Sequence, residues 1–400
     1  MSTPHEVTPP SEVVRTLNWL ASLAKTRLTG TADEKRVQQA IEDRLVPLGF
    51  RADWRPFRFP RHIYGSLAMH FGLALVFTAC APFAPLIAGV GHLVIAYSFY
   101  SEAVLRQHVL RKLWPAVDTQ NLLLTWPARE AMKKRIVLLA HVDSAFTGWM
   151  FHPPVLRLIA KPPPAALSFL RKQLLLPWLC LIAIALLELS ALVITSPSWI
   201  GALISLPFWP VFILNIEIVL RNRAVPGAAD NLTGCAAQIL LAEQWSRAAE
   251  PNVEIVFAFT GAEEAGTGGA AELAKSAGWE AANTQVLVLD TLSNGTLHVL
   301  EEGELFRTEV PADLRDAVHE AARLSSSPVP LDYIVPAGGT DALPFLARGF
   351  RAIALTCIDP EFHAPRHYHH PTDTAENVDP VQLNASMKLV SQLLTTLAQR

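Results

Sequence analysis

Charged residues are scarce in this chain of 400 residues. They make up only 17% of it, whereas 51% is hydrophobic and the mean hydropathy is +0.27. Soluble domains carry about 25% charged residues. The four cysteines form no C-x-x-C pair, so neither a disulfide framework nor a zinc ribbon is predicted. The net charge of −3 argues against nucleic acid as a partner. The composition indicates a large apolar surface that must be buried or inserted.

The apolar excess lies in two blocks. Residues 66–100 contain no Lys, Arg, Asp or Glu, and the helix breakers Pro82 and Pro85 lie near the middle of this block. Residues 174–220 contain only two charged residues, with Pro197 near their midpoint. A bilayer span needs about 20 apolar residues, so each block can hold two short spans and a tight turn. The sequence predicts two transmembrane hairpins, and a large buried core is the alternative.

The two hairpins interrupt the polar part of the chain, which we expect to form one catalytic domain. The predicted organisation is the start of this domain at 1–63, hairpin 1 at 64–105, the domain continued at 106–172, hairpin 2 at 173–220 and the last part of the domain at 221–400. Because a hairpin returns the chain to the side it left, both insertions keep the domain on one face of the bilayer.

Basic residues flank the hairpins on the side of the catalytic domain and are absent from the predicted tips. They are Arg51, Arg55, Arg58, Arg61, Arg106, Arg111, Lys112, Lys161, Arg171, Lys172, Arg221 and Arg223. The positive-inside rule therefore predicts a multi-pass inner-membrane protein with its catalytic domain in the cytoplasm. The first residues, Met1–Glu6, lack an apolar core, so we expect no cleavable signal peptide.

Side chains that bind metals follow several predicted strands. Apolar runs end at His141 and Asp143, at Glu263 and Glu264, and at Asp290, while Asp230 lies in a glycine-flanked turn before an apolar helix at 235–245, and a later cluster contains His369. The carboxyl ends of strands in an α/β sheet converge on one crevice. Imidazoles and carboxylates gathered there suit one or two divalent metals, zinc first.

Each of these pieces has a simpler explanation when taken alone. Adjacent glutamates more often begin a solvated helix, and an Asp-Asn pair before a helix is more often a cap than a metal ligand. A single His at a strand end is more often structural. The conjunction of all the pieces, in order and each after an apolar strand, favours a metal site over these alternatives.

The order and local sequence of these pieces resemble the co-catalytic di-zinc aminopeptidases, the family of bacterial leucyl aminopeptidase and aminopeptidase Y. The segments Leu28–Thr31 and Leu48–Phe50 resemble the opening of that family as well. The resemblance implies an α/β/α sandwich around a mixed sheet of about eight strands, here with two inserted transmembrane hairpins. It implies a membrane-anchored zinc exopeptidase that removes N-terminal residues from peptides.

The resemblance also implies a role for each candidate residue. In that family's pattern, His141 and Asp290 bind one zinc, Glu264 and His369 bind the other, Asp230 bridges the two, Glu263 is the general base, and Asp143 orients the ring of His141. Two metals clamp a water, lower its pKa and polarise the scissile carbonyl. An unliganded carboxylate then carries the proton of that water to the leaving amine.

Two departures from the family pattern concern the neighbourhood of the site. The sequence Gly339–Ala342 replaces a Ser-Asp-His element, which puts the shape of the substrate pocket in question. His370 stands where Thr is common, so His370 or His367 could compete with His369 as a ligand. The frame Tyr-His-x-Pro-x-Asp-Thr favours His369.

Two other functions remain open at this stage. A glutaminyl-cyclase-like zinc acyltransferase uses a similar fold with one zinc, and the presence of His141 together with Glu263 and Glu264 disfavours it. A non-catalytic membrane scaffold with a retained peptidase fold would be indicated by a missing ligand, and no ligand is missing. Neither the preferred substrate side chain nor the oligomeric state follows from the sequence.

Overall fold

A single mixed sheet of eight strands forms the centre of the molecule. The computed structural model describes residues 11–192, 198–247, 250 and 252–400. The strands are β1 Arg51–Pro60, β2 Ala116–Trp126, β3 Lys134–His141, β4 Val253–Thr260, β5 Thr284–Leu289, β6 Thr296–Glu301, β7 Leu331–Ile334 and β8 Arg351–Ile358. Their order in the sheet is β1-β2-β4-β3-β5-β8-β6-β7. The predicted mixed sheet of about eight strands is confirmed.

The central strands β4, β3, β5 and β8 run parallel. β1 pairs antiparallel with β2, β2 with β4, and β6 with β8, while β7 is parallel to β6. The apolar run in β3 is buried on both faces, with Ile136 and Leu138 packing on one side and Val137 and Leu139 on the other. Continuous apolar runs are typical of parallel strands covered on both faces. Their carboxyl ends therefore meet at one protected edge of the sheet.

Helices cover both faces of the sheet. The helices of the described residues are α1 Glu12–Leu23, α2 Ala32–Leu45, α3 Ile63–Cys80, α4 Pro85–Ala103, α5 Pro153–Ala160, α6 Leu175–Ser190, α7 Ser198–Ile204, α8 Phe208–Arg221, α9 Thr233–Trp245, α10 Gly268–Ser276, α11 Ala312–Leu324, α12 Leu343–Leu346 and α13 Pro380–Gln399. Helices α1, α2, α9, α11 and α13 pack on one face, and α10 and α12 pack on the other. This is the predicted sandwich.

The two apolar blocks form a separate helix bundle beside the sheet. Helix α3 packs against α4 and α8, and α4 packs against α6. Three aromatic residues, Phe71, Phe99 and Phe208, are buried in its core together with Leu181 and Ile184. The outward faces remain apolar and exposed, as at Leu73, Val76, Ile87, Val94, Leu186, Trp199 and Ile213.

The second block differs from its prediction of two spans. Its first arm, α6, has 16 residues, and its return arm is divided into α7 with seven residues and α8 with 14. The division contains Pro207, which has no backbone N–H to continue a helix. In the described part of the chain, only α3 is both long and apolar enough to cross a membrane, judged by length and composition. Two full hairpins are therefore not established. The predicted tip at Pro197 and the N-terminal residues Met1–Glu6 lie outside the described residues.

Glu188, one of the two acids in the second block, is buried inside the bundle. Its Oε2 lies 2.8 Å from Nδ1 of His92 on α4. A buried acid is tolerated when it is paired in this way. The pair links α4 to α6 through a polar contact within an otherwise apolar interior.

Candidate metal centre

The structure brings the two predicted histidine ligands onto opposite sides of Asp230. Nε2 of His141 lies 3.2 Å from Oδ1 of Asp230, and Nε2 of His369 lies 3.3 Å from Oδ2. Each carboxylate oxygen thus faces a different imidazole. Nε2 of His369 is also 3.1 Å from Oε2 of Glu264. This arrangement suits a carboxylate shared by two metal ions.

Glu263 and Asp290 lie at the same centre, on the wall of a cavity. Oε2 of Glu263 is 4.0 Å and Oδ1 of Asp290 is 3.9 Å from Nε2 of His141. Both side chains are slightly more exposed than the three that surround Asp230, at 12% and 13%. All seven site residues predicted from the sequence therefore lie close together, with Asp143 fully buried among them.

Buried polar atoms without partners test whether this group fits a metal. Among the described residues, Nε2 of His141 and Oε1 of Glu264 are buried with no hydrogen-bond partner. The ligand atoms of His141, Asp230 and Glu264 lie within 4.8 Å of one another. Buried polar groups are nearly always satisfied. Because imidazole and carboxylate are ordinary zinc ligands, cations at this point would satisfy the orphaned atoms.

Three residues at the centre have a left-handed backbone although they are not glycine. They are Ala262, before Glu263, with φ of 58°; Thr291, after Asp290, with 51°; and His369, with 49°. Such conformations cost about 1–3 kcal/mol each and cluster at functional sites. The surrounding fold holds these side chains in place against that cost.

Asp143 contacts both His141 and the two glutamates. Nδ1 of His141 lies 3.0 Å from the backbone oxygen of Asp143 and 3.6 Å from its carboxylate. The carboxylate instead accepts the backbone N–H groups of Glu263 and Glu264, both at 3.1 Å. It also accepts the hydroxyl of Thr29. The backbone of Asp143 therefore orients His141, while its side chain positions the two glutamates.

The turn that carries Asp230 is held by two side chains distant in sequence. Asp373 accepts the backbone N–H groups of Ala229 at 2.7 Å and Asp230 at 3.1 Å. The buried guanidinium of Arg27 donates to the carbonyls of Pro226 and Gly227, both at 2.8 Å. The sequence analysis missed Arg27, and its position just before the quoted segment Leu28–Thr31 was the available signal.

The competition among the later histidines is resolved by burial. His367 and His370 are partly exposed, and each has Nδ1 near the hydroxyl of Thr372, at 2.7 and 2.8 Å. His369 is buried, and its Nδ1 lies 3.0 Å from the hydroxyl of Tyr64. Of these three histidines, all of them described residues, only His369 has a ring nitrogen within ion-pair distance of Asp230 and Glu264.

The centre is strongly acidic, and burial makes this costly. Burial and then the charge of Asp230 raise the pKa of Asp290 to about 7. Burial also raises the pKa of Glu263, and Glu264 and Asp341 raise it further against the effect of His141. Burial lowers the pKa of His369, but Glu264 and Asp230 outweigh it and raise the value to about 10. The cluster thus retains protons that bound cations would displace.

Asp341 is an acidic residue that the sequence analysis noted only for the histidine missing beside it. It is buried, and its Oδ2 accepts the hydroxyl of Thr260 at 2.6 Å. Its charge acts on Glu263, as the pKa of that residue shows. The element Gly339–Ala342 therefore places a carboxylate behind the candidate base.

The centre forms part of the wall of a cavity of about 440 Å³. Asp230, Glu263, Glu264, Asp290 and His369 all line it. Other parts of the lining are apolar and come from α3, α5 and α8 of the structure. The cavity therefore joins the acidic centre to the helix bundle.

Comparisons with known proteins agree with this geometry. Residues 215–394 match the model of peptidase family M28. No curated protein matches the sequence at a significant level. Similar solved structures include a Zn-dependent exopeptidase from Parabacteroides distasonis (TM-score 0.57, 15% identity, covering 97% of this chain and 96% of that chain) and the Bacillus subtilis zinc aminopeptidase BSAP (0.57, 15%, 96% and 94%). A Bacteroides thetaiotaomicron glutaminyl cyclase is similar to the same degree (0.56, 14%, 96% of each chain). The match to the M28 model over residues 215–394 agrees with the predicted resemblance to the zinc aminopeptidases, and the solved structures share the fold of the whole chain.

Proposed function

We propose that this chain, whose residues 215–394 match the M28 peptidase model, is a di-zinc aminopeptidase anchored in a membrane. One observation carries the choice of two ions over one. Asp230 presents one oxygen to His141 and the other to His369, at 3.2 and 3.3 Å. A single ion needs no carboxylate shared between two imidazoles.

Five residues would hold the two ions. They are His141 and Asp290 for one, Glu264 and His369 for the other, and Asp230 for both. Bound zinc supplies an activated water and polarises the carbonyl of the scissile bond. Among the side chains, Asp143 holds the backbone of both glutamates, and Tyr64 supports the ring of His369.

Glu263 is the proposed general base. Its carboxylate lies on the cavity wall, and its raised pKa favours uptake of a proton. A base must hold the proton long enough to deliver it to the leaving amine. Glu264, the next residue, lies against His369 and is thereby assigned to the ligand set.

The acidic lining of the cavity supports exopeptidase activity at the N-terminus. A peptide's α-amine is positively charged, and the carboxylate of Glu263, which is not among the proposed metal ligands, faces the cavity beside them. Opposite charges attract most strongly in a partly desolvated site.

The exposed apolar faces of the helix bundle support membrane anchoring. Phe83, in the turn between α3 and α4, is 89% exposed, and Trp199 and Trp209 are also exposed. Apolar patches this extensive mark interaction or membrane surfaces. The basic residues that flank both blocks support a catalytic domain on the cytoplasmic side of the inner membrane.

Substitution of the proposed base tests the function. Full-length protein loaded with zinc is expected to release free amino acids from unblocked peptides and not from N-acetylated ones. Glu263→Gln should keep both metals and lower kcat by about 10²–10⁴-fold. Asp230→Asn should lower the affinity for both metals, because both share that ligand.

Three results would contradict the proposal. Loss of metal in Glu263→Gln, or near-normal turnover, would remove Glu263 from the role of base. Two tightly bound metals and full activity in Asp230→Asn would show that Asp230 only caps α9. Cyclisation of N-terminal glutamine without release of amino acids would favour the acyltransferase instead.

A further inference from the structure

The cavity that contains the candidate metal centre extends along the helix bundle. Leu67 of α3 and Val211 and Leu214 of α8 form part of its wall. All three belong to the two apolar blocks that interrupt the catalytic domain. The wall of the substrate cavity is therefore built in part by the proposed membrane anchor.

Helix α8 contacts the catalytic domain and also lines the cavity. Helix α8 contacts the catalytic domain through Glu217, whose Oε2 accepts the backbone N–H of Trp149 at 2.8 Å. Val211 lies six residues earlier, about 9 Å along the helix axis at 1.5 Å per residue. On the opposite side of this stretch, Trp209 and Ile213 are exposed. The same turns of α8 thus line the cavity and form the outer apolar surface.

The size of the cavity exceeds what one terminal residue requires. Cavities of about 300–1,000 Å³ hold drug-sized ligands, and this one measures about 440 Å³. Asp230, Glu263, Glu264 and Asp290 line this cavity, and a charged α-amine would bind beside them. Residues that follow in the substrate would then contact leucine and valine side chains, which favour apolar partners.

We infer that the enzyme acts on membrane-associated peptides whose first residues are apolar. The N-terminal amine binds at the acidic centre, and the next residues lie against Leu67, Val211 and Leu214. This inference rests on the proposed aminopeptidase function and adds the substrate class. It assigns the inserted helices a part in substrate binding besides anchoring.

Two peptides of equal length test the inference with full-length protein reconstituted in phospholipid vesicles with zinc. Both begin with Leu; one continues with Val, Leu and Ala, and the other with Ser, Asn and Thr. The expected ratio of kcat/KM for the apolar over the polar peptide is about 10-fold or more, the discrimination that an apolar contact provides. Leu214→Gln is expected to reduce this ratio about 10-fold.

Ile213→Gln is the matched control, because Ile213 is the neighbouring residue on the exposed face of α8. Partitioning of the apolar peptide into the vesicle raises its rate in every variant, so a loss of preference confined to Leu214→Gln reports the cavity wall. A wild-type ratio near one, or equal losses in both variants, would overturn the inference.

Failure of the proposed function gives a different pattern. If zinc-loaded protein cleaves neither peptide, the aminopeptidase proposal fails. Binding of the apolar peptide, labelled at its carboxyl end with a fluorophore, then still tests the cavity. Weaker binding to Leu214→Gln than to Ile213→Gln supports the binding surface, and equal binding refutes it.

Discussion

The hydroxyl of Tyr64 is the contact through which the helix bundle reaches the candidate metal centre. It lies 3.0 Å from Nδ1 of His369, and both side chains are buried. A histidine that binds metal through Nε2 usually donates its other N–H to a partner, which sets the ring orientation. Tyr64 therefore supports a ligand from the first helix of an inserted block.

Tyr64→Phe should weaken the binding of one of the two metals about 10–100-fold, the usual effect of removing such a partner. Zinc affinity measured by competition with a chelator checks this without reference to activity. Tyr333→Phe is the control, since its hydroxyl donates to the backbone oxygen of His363 and touches no proposed ligand. Equal affinities in wild type and Tyr64→Phe would show that the contact is only packing.

A second residue-scale prediction concerns Glu302, which is buried beside the cavity. Burial raises its pKa to about 7, although Thr340 and Lys172 act in the opposite direction. Between its ordinary value of 4.5 and about 7 the folded protein binds the proton more tightly than the unfolded chain. The stability contributed by this group therefore falls as pH rises through that window and is lowest above pH 7.

Glu302→Gln should accordingly raise the free energy of unfolding at pH 8 by on the order of 3 kcal/mol and change it little at pH 4. Denaturant unfolding at the two pH values measures the difference. The exposed Glu309→Gln serves as control. A gain of the same size at both pH values would assign the effect to packing rather than to protonation.

At the scale of elements, the two apolar blocks join into one bundle instead of standing as separate hairpins. Helix α3 of the first block packs on α8 of the second, and α4 packs on α6. The bundle is also tied to the catalytic domain by Glu217 of α8, whose Oε2 accepts the backbone N–H of Trp149 at 2.8 Å. A change in the orientation of the bundle would therefore also change the shape of the cavity wall.

A native cysteine tests the topology of the first block. Cys80 is exposed at the end of α3, whereas Cys235 and Cys357 are buried. We expect a membrane-impermeant maleimide to label Cys80 in intact cells and Cys80→Ser to lose this label. Ser276→Cys, on an exposed position of α10, should react only after permeabilisation. The reverse pattern would place the catalytic domain outside, and a protein that leaves the membrane without detergent would make the bundle a buried core.

At the scale of the whole molecule, the candidate metals join separate parts of the chain. Of their proposed ligands, one is the last residue of β3, one precedes α9, and the others follow β4, β5 and β8. The acidic side chains there repel one another when no cation is bound. Metal binding should therefore stabilise the entire catalytic domain.

Removal of zinc should lower the thermal unfolding temperature. At a free concentration 100 times its Kd, one bound ion adds about 2.7 kcal/mol to the free energy of unfolding. Calorimetry of chelated and zinc-loaded protein in detergent measures this shift, and Asp230→Asn should show a smaller one. An identical unfolding temperature with and without zinc would contradict a metal site at this position.

Much of this organisation was determined by the sequence alone. Apolar runs predicted the strands that end at His141, before Glu263 and at Asp290, and the apolar helix after Asp230. These features depend on local periodicity and on side chains that alternate between two buried faces. The convergence of the ligand-type residues followed from the geometry of parallel strands.

Only the tertiary structure decided contacts between residues far apart in the chain. It placed His369 rather than His367 or His370 at the centre, and it brought Tyr64 to that ring from 305 positions away. It showed that the carboxylate of Asp143 accepts the backbone N–H groups of the two glutamates. It also showed that the return arm of the second block consists of two helices, which are separated at Pro207. Local patterns specify which side chains a turn or helix can offer, but partners are chosen by packing across the whole fold. That is why the ligand types were evident in the sequence and their supporting contacts were not.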